Sequence, residues 1–152
     1  MKSVILATVD AEGNPSSSYV PYVMIDNKMY VLVSFMARHT KNLKDVKKVS
    51  VMFIEDESET KQIYARERLT IDATTNHIER GTEMWDKAVA GLTEVHGKIL
   101  DILIGMDDFI MIEIVPVKGA YVNGFGSAYF VDTNFDIINH RNDINHTPRK
   151  ED

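Results

Sequence analysis

The chain of 152 residues contains no cysteine, and this absence excludes several classes of site at once. Disulfide bonds, thiolate metal centres and cysteine nucleophiles are all ruled out. No apolar run approaches the roughly 20 residues that span a bilayer, and the first residues lead straight into a strand-like segment rather than a signal peptide. We therefore expect a protein of the cytoplasm that does not enter the membrane.

Basic charge is also scarce, since 17 lysines and arginines stand against 23 acidic residues, which gives a net charge of −6. Neutralising phosphates requires a basic surface, so this balance argues against nucleic-acid binding. The chain also lacks a phosphate-binding glycine loop, a dinucleotide fingerprint and a nucleophile elbow, and its five histidines lack the spacing of a zinc site. Any anion-binding site must therefore be local.

What the chain does contain is a succession of short apolar runs separated by turn formers, a pattern typical of antiparallel strands. Its length and its 44% hydrophobic and 26% charged residues fit one globular domain. The predicted strands are residues 3–10, 16–25, 29–34, 49–54, 62–75, 109–117 and 120–122, and the predicted helices are residues 39–48, 79–92 and 98–105. This order, mainly β with a few helices, predicts an antiparallel β-barrel with helices packed outside it.

The end of the chain differs in composition from the rest. Residues 1–132 form the predicted barrel domain, and residues 133–152 form a polar tail that we expect to be mobile unless a ligand or a partner subunit orders it. Just before the tail two glycines flank Phe125, and without a Cβ their backbone is able to lie against a flat ligand. The tail carries His140 and His146, which are either solvated side chains or ligands.

Three charged positions are candidate site residues. Arg66 and Arg68 alternate along a predicted strand, so both side chains are expected to project from the same face. Two adjacent guanidiniums repel each other unless a phosphate or carboxylate lies between them, and Glu67 or the acidic loop at residues 55–59 is an equally good partner. Asp108 directly precedes an apolar strand, where a carboxylate commonly serves as a turn residue or cap.

Five blocks of sequence, spread over nearly the whole chain, carry a resemblance to a known family. They are VMFIEDES at 51–58, RERL at 66–69, IERG at 78–81, MDDF at 106–109 and VNGFGSAY at 122–129. In this order they resemble the HugZ-type haem-degrading proteins, which belong to the flavin-binding split-barrel group typified by pyridoxamine 5′-phosphate oxidase. The resemblance implies an antiparallel split β-barrel that forms a homodimer.

The resemblance also implies an activity and a ligand. Haem serves as both cofactor and substrate in the family, and with an electron donor its ring opens to a biliverdin-type product and releases iron. The resemblance places the haem-iron ligand at His146, with His140 as the alternative. It implies that the backbone of Gly124, Phe125 and Gly126 lies close to the porphyrin.

Three further residues have roles implied by the family. Arg68 corresponds to an arginine that faces haem and its propionates, and Arg66 is expected to assist it. Asp108 corresponds to an aspartate that supports the iron-ligating histidine across the dimer interface. A carboxylate that accepts the second N–H of an imidazole fixes its tautomer and raises its basicity.

Two other functions remain open at this point. One is an FMN-dependent oxidoreductase on the same fold, with a flavin site formed by residues 30–34, Arg38, Lys41, Lys44 and residues 66–68. The other is a haem carrier or sensor that binds without turnover, because the same residues serve both purposes. A small barrel is filled by its own side chains, so haem is expected outside it, with two equivalent sites at the interface of a homodimer.

Overall fold

The computed structural model describes residues 1–141, which form one antiparallel sheet and the helices that pack on it. The elements are β1 (Ser3–Val9), β2 (Pro15–Pro21), β3 (Val23–Ile25), β4 (Lys28–Ser34), α1 (Arg38–Asp45), β5 (Lys48–Ile54), a 3₁₀ turn (Ile63–Ala65), β6 (Arg68–Ile78), α2 (Glu83–His96), α3 (Ile99–Leu103), β7 (Phe109–Val122), β8 (Ala128–Val131) and β9 (Ile137–His140). In this part of the chain no helix is long and apolar enough to cross a membrane.

The strands lie in the order β2-β1-β5-β6-β7-β4-β3, and every neighbouring pair is antiparallel. Contacts between β2 and β4 bring the two ends of this path together. β8 pairs with the second half of β7, and β9 pairs with β8. The predicted fold, a mainly antiparallel β-barrel with a few helices outside, is confirmed.

The interior of the barrel is filled by apolar side chains that alternate along the strands. β1 shows this most clearly, because every second residue from Val4 to Thr8 is buried and the residues between them are exposed. The core cluster comprises Val4, Leu6, Val20, Met29, Val31, Val33, Leu43, Val49, Val51, Ile71, Ala73, Ile110, Ile112 and Ile114. With the interior occupied in this way, a large flat ligand must lie on the outer surface.

Helices α2 and α3 cover the outer face of the sheet over the first half of β7. Their apolar side chains form a second cluster, which comprises Tyr30, Trp85, Ala88, Leu92, Leu100 and Met111. The hydroxyl oxygen of Thr82 accepts a hydrogen bond from the backbone N–H of Trp85 at 3.3 Å and so caps the start of α2. We call this region the covered half of the outer face.

One charged residue, Glu113, is buried in the covered half and is 7% exposed. Its carboxylate accepts hydrogen bonds from Lys28 at 2.9 Å, from the Tyr30 hydroxyl at 2.8 Å and from Asn76 at 2.8 Å. Burial alone would raise the pKa of Glu113, but these three donors outweigh it and hold the pKa below its ordinary value. The same burial, together with the neighbouring carboxylate, raises the pKa of Tyr30.

The predicted strand over residues 62–75 is wrong at its start. Residues Ile63–Ala65 form a 3₁₀ turn, because the side-chain oxygen of Gln62 accepts a hydrogen bond from the backbone N–H of Tyr64 at 3.3 Å. β6 begins only at Arg68. Local hydrogen bonding to the backbone therefore overrides the strand pattern.

The predicted strands over residues 109–117 and 120–122 are one continuous strand, β7. It passes through Gly119, where an added Cβ would lie 3.2 Å from the backbone oxygen of Thr70 on β6. A glycine here permits close contact between two strands rather than a break between them. β7 is therefore long enough to connect the covered half of the outer face with the region near its end.

Other predicted elements also have different bounds. The helices expected over residues 39–48 and 98–105 are shorter, at Arg38–Asp45 and Ile99–Leu103. The helix expected over residues 79–92 begins at Glu83, because Thr82 is its cap. The strand expected over residues 16–25 is divided into β2 and β3, since Pro21 has no N–H to continue the ladder. β8 and β9 were not predicted, and β9 lies within the segment interpreted as a polar tail.

Candidate functional site

The outer face near the end of β7 carries a cavity of about 230 Å³. It is lined by Tyr64, Ala65, Arg68, Val122, Gly124, Phe125, Gly126, Ser127, Ala128 and Arg141. Residues that are far apart in the sequence therefore meet, because β6, β7 and β8 are adjacent here. The cavity contains four of the predicted site residues, Arg68 and the three residues of the glycine loop.

The floor of the cavity is a row of residues directly opposite each other on adjacent strands. Arg68 on β6 pairs with Val122 on β7, which pairs with Ala128 on β8. The backbone N–H of Arg141 donates to the carbonyl of Ala128 at 2.7 Å and extends the row by one position. Side chains in such a row share one face of the sheet. Three strand spacings place the backbones of Arg68 and Arg141 about 14 Å apart.

The glycine loop between β7 and β8 adopts a conformation that requires glycine. Gly124 has φ +151° and Gly126 has φ +70°, both in a region that side chains with a Cβ rarely adopt. The loop is closed by hydrogen bonds from Asn123 N–H to Ser127 carbonyl at 3.1 Å and from Ser127 N–H to Gly124 carbonyl at 3.4 Å. An added Cβ at either glycine would meet nothing within 4 Å, so the space above the loop is open.

Two aromatic side chains stand exposed beside this open space. Phe125 is 67% exposed at the tip of the loop, and Tyr64 is 85% exposed in the 3₁₀ turn. Both line the cavity. Exposed aromatic rings next to a cavity are typical of a surface that a flat ligand or a partner covers. Sequence reasoning missed Tyr64, because the strand expected over residues 62–75 gave it no special position.

Arg68 reaches the cavity from the start of β6. Its Nη1 donates to the backbone carbonyl of Arg66 at 3.1 Å, which holds the half-buried side chain at the rim. It also borders a neighbouring depression that is lined by Phe53 and Tyr121. Arg68 is the first residue of β6 and lines the cavity, and its role toward a ligand stays a prediction.

Arg66 does not share the face of Arg68, so the expectation that the two guanidiniums project together is wrong. Arg66 precedes the strand and turns toward the acidic loop, where its Nε donates to the Glu55 carbonyl at 3.1 Å. Its Nη1 pairs with the Glu57 carboxylate at 3.0 Å. Of the two partners considered for this arginine, the structure shows the acidic loop. Arg66 is not among the described residues that line the cavity.

Asp108 lies at the opposite end of β7 from the cavity. Its carboxylate accepts a hydrogen bond from the Ser34 hydroxyl at 2.5 Å, and its carbonyl accepts one from the N–H of Phe35 at 2.9 Å. The 14 residues of β7 represent roughly 45 Å of extended chain between the two places. Within one chain Asp108 and Arg68 are therefore not brought together.

Of the two candidate iron ligands, only His140 is among the residues that the structure describes. His140 pairs with Tyr129 at the end of β9, and the two rings meet edge to face with centroids 5.0 Å apart. Because Tyr129 follows Ala128 on β8, its side chain and that of His140 point to the opposite face from the cavity floor. His146 lies outside the described residues.

Arg141 is the clearest residue of the cavity that sequence reasoning missed. It stands in the segment interpreted as a polar tail, where a single arginine among charged residues carries no signal. Its place depends on the hairpin of β8 and β9, whose turn is closed by hydrogen bonds from two backbone N–H groups to the side chain of Asp132. The run of exposed apolar residues at Ile137 and Ile138 was too short to predict a strand.

The residues considered for a flavin site are largely engaged elsewhere. Tyr30 is buried against Glu113, Arg38 pairs with Asp10 at 3.2 Å, and the ammonium of Lys44 lies 4.7 Å from the ring centre of Phe35. They surround α1 and β4 rather than the Arg68 cavity. A single chain therefore does not assemble this set.

Comparison with known proteins gives the context for this geometry. Residues 1–123 match the model of the pyridoxamine 5′-phosphate oxidase family. The chain belongs to this family. The match ends directly before the glycine loop, so the family model covers the barrel without the loop that completes the cavity.

Apart from the family model, the chain is similar to individual known proteins, one of which is described in terms of haem. The chain is 45% identical over 130 residues to the haem oxygenase HutZ of Vibrio cholerae, in a match that covers 86% of this chain and 74% of the relative. A crystal structure of HutZ, there described as a haem storage protein, is 41% identical with a TM-score of 0.78, and the match covers 81% of this chain and 87% of that chain. The structure of ChuZ from Campylobacter jejuni is 30% identical with a TM-score of 0.81, over 90% of this chain and 56% of that chain. The resemblance inferred from the five sequence blocks is confirmed.

Proposed function

We propose that this protein binds haem in the Arg68 cavity and opens the porphyrin ring to a biliverdin-type product with release of iron. The observation that carries the proposal is the meeting of Arg68 with the glycine loop on the outer face of the sheet. Similarity to HutZ supports the choice of haem as the ligand of this cavity.

The residues present fit haem in three respects. The open space above Gly124 and Gly126 accepts a flat ring, and Phe125 offers an aromatic surface beside it. Arg68 supplies a positive charge for propionate. Haem supplies the redox chemistry when bound, and the task of the protein is to bind and orient it. In this proposal His146 is the iron ligand, because neutral imidazole is a normal ligand of haem iron.

We further propose that the functional unit is a homodimer with two equivalent sites. Sites for drug-sized ligands usually measure about 300–1,000 Å³, so a cavity of about 230 Å³ is small for haem. A groove of about 610 Å³ along β1, β5, β6 and β7 continues the uncovered surface. A second chain on this surface would add the missing wall and bring its own Asp108 toward the site. Sedimentation analysis tests this state, and a monomer in the presence of hemin would contradict it.

The remaining parts of the proposal concern residues 133–152, the electron donor and the location of the protein in the cell. Residues 133–152 contribute to the ligand site, with β9 anchoring their first part to the sheet. The reaction requires an electron donor, and the proposed location is the cytoplasm.

Hemin titration tests whether haem is the ligand and which residue binds its iron. Wild-type protein is expected to give a Soret band, and His146→Ala is expected to lose the spectrum of an imidazole-ligated haem. His140→Ala is a matched control, since its ring lies on the opposite face of the sheet. If His140→Ala removes the imidazole signature and His146→Ala does not, the assignment of the ligand is wrong.

Turnover is tested separately from binding. With a reductant in air, the haem complex is expected to lose its Soret band and yield a bilin and free iron, and added catalase should not prevent the loss. Intact haem after prolonged reduction would favour the second candidate, haem storage, which is how the HutZ structure is described. A yellow protein with bound FMN and no affinity for hemin would favour the flavin alternative that the family match allows.

A further inference from the structure

Arg141 occupies a defined position at the edge of the cavity. Its backbone is tied to β8 by the hydrogen bond to the Ala128 carbonyl at 2.7 Å. Its guanidinium carbon lies 5.1 Å from the centre of the Phe130 ring, within the range of a cation–π contact. Phe130 is two residues from Ala128, so its ring lies on the same face of the sheet as the cavity floor. Arg141 therefore stands at the border between the cavity and an adjoining depression, which Phe130, Asp72 and Lys118 also line.

The two arginines of the cavity occupy opposite ends of the same row. Between them lie only Val122 and Ala128, whose small side chains leave the floor flat. The described lining of the cavity carries these two positive charges and no acidic residue, in a chain whose net charge is −6. A ligand that spans the floor thus meets one guanidinium at each end.

Guanidinium recognises carboxylate through two parallel N–H donors. The guanidinium of Arg141 lies beside the Phe130 ring of β8, and Arg141 itself lines the cavity at its β8–β9 side. We propose that Arg141 binds a propionate carboxylate of the porphyrin and so sets which edge of the ring faces the β8–β9 hairpin. This rests on the proposed function. Both propionates lie on one edge of the porphyrin, so Arg68, which lines the same cavity about 14 Å away along the row, is left for the second propionate.

The experiment compares hemin with its dimethyl ester, in which both propionates are neutral. Affinities are measured for wild type, Arg141→Ala and Arg141→Lys by titration of the absorbance spectrum. Arg141→Ala is expected to weaken hemin binding by roughly tenfold or more, the usual effect of losing a hydrogen bond to a charged group. It is expected to leave the affinity for the ester unchanged, and Arg141→Lys should restore part of the loss with hemin.

Lys87→Ala is the matched control for loss of a positive charge. Lys87 lies on α2, where its side chain is 52% exposed and pairs with Asp26 at 3.0 Å. Its replacement is expected to change neither affinity. Thermal unfolding of each variant without ligand shows whether the fold is retained.

The possible results separate the inference from the proposed function. If Arg141→Ala leaves hemin affinity unchanged, or weakens hemin and the ester equally, Arg141 does not recognise a propionate, although the haem site itself stands. If the wild-type protein binds neither compound, the proposed function and this inference both fall. Should Arg141→Ala fail to fold, wild type and Arg141→Lys still test the inference. It is overturned if each of these two proteins binds hemin and the ester with equal affinity.

Discussion

The outer face of the sheet has two halves, and a charged side chain is buried in one half whereas two arginines border an open cavity in the other half. In the covered half, α2 and α3 enclose Glu113, whose carboxylate is surrounded by three donors within 2.9 Å. At the other end of β7 no helix of the described chain covers the face, and Arg68 and Arg141 border a cavity with a flat floor. Both halves lie along the same strand.

This difference indicates which charges serve the fold and which serve a ligand. A buried charge whose hydrogen bonds are all made within the protein is part of a closed network, and removing one member leaves the others unsatisfied. Charges beside an open cavity contribute little to folding, since solvent screens them. Substitutions in the covered half should therefore alter stability, and substitutions in the uncovered half should alter binding.

The largest expected effect is that of Glu113→Ala. Removal of the carboxylate leaves the buried Tyr30 hydroxyl without its acceptor, which costs about 1–3 kcal/mol. The ammonium of Lys28, whose side chain is 42% exposed, is still able to reach water. Urea denaturation should show this loss in the free energy of unfolding, and Glu113→Gln should lose less because its amide oxygen still accepts hydrogen bonds. If the folded fraction of Glu113→Ala also lost its affinity for hemin, the two halves would not be separable.

Arg68→Ala should show the reverse behaviour. The guanidinium of Arg68 donates to the Arg66 carbonyl at the rim of the cavity, where solvent screens its charge, so we expect the free energy of unfolding to change by less than about 1 kcal/mol. Hemin affinity should fall by roughly tenfold or more. Arg66→Ala is the matched control, because that guanidinium pairs with Glu57 outside the cavity. An equal loss in both variants would restore the predicted ligand role of Arg66.

The barrel and part of the cavity were predictable from the sequence, and the reason why a residue could be predicted differs from one residue to the next. The glycine loop was predictable because two glycines around an aromatic are unusual in a strand, and Arg68 because its block resembles a family motif. Arg66 was placed on the wrong face, because alternation holds only inside a strand and β6 starts two residues later. Arg141 depended on the β8–β9 hairpin, whose turn at residues 132–136 was interpreted as part of the polar tail.

Substitutions in the glycine loop should have a smaller effect. They separate backbone strain, which lowers stability, from a side chain that blocks the ligand. Gly126 has φ +70°, so Gly126→Ala should cost about 1 kcal/mol of stability, although its Cβ would meet nothing within the chain. Gly126→Asn should recover much of this stability, because asparagine tolerates the left-handed region. Both side chains project into the open space, so both variants should bind hemin more weakly. Normal hemin affinity in Gly126→Asn would show that the ligand does not approach this loop.

The smallest expected effect is the contribution of Glu113, in the covered half, to the dependence of stability on pH. The donors around Glu113 hold its pKa below the ordinary value of 4.5, so the folded state binds fewer protons there than the unfolded chain. The stability that Glu113 contributes is therefore present above about pH 4.5 and is lost as the pH falls through its lower folded pKa. Glu113→Gln cannot titrate, so the difference in unfolding free energy between this variant and wild type should shrink in acid.

The uncovered half supplies the control for this dependence. Asp72 pairs with Lys118 at 3.7 Å on the surface, with more than half of each side chain exposed, and Asp72→Asn should change the unfolding free energy by less than about 1 kcal/mol. Urea unfolding of the wild type and the two variants, from about pH 7 to about pH 3, measures both differences. A difference for Glu113→Gln that stays constant over this range would mean that the buried carboxylate is not stabilised by its charge, and the contrast between the two halves would then rest on packing rather than on electrostatics.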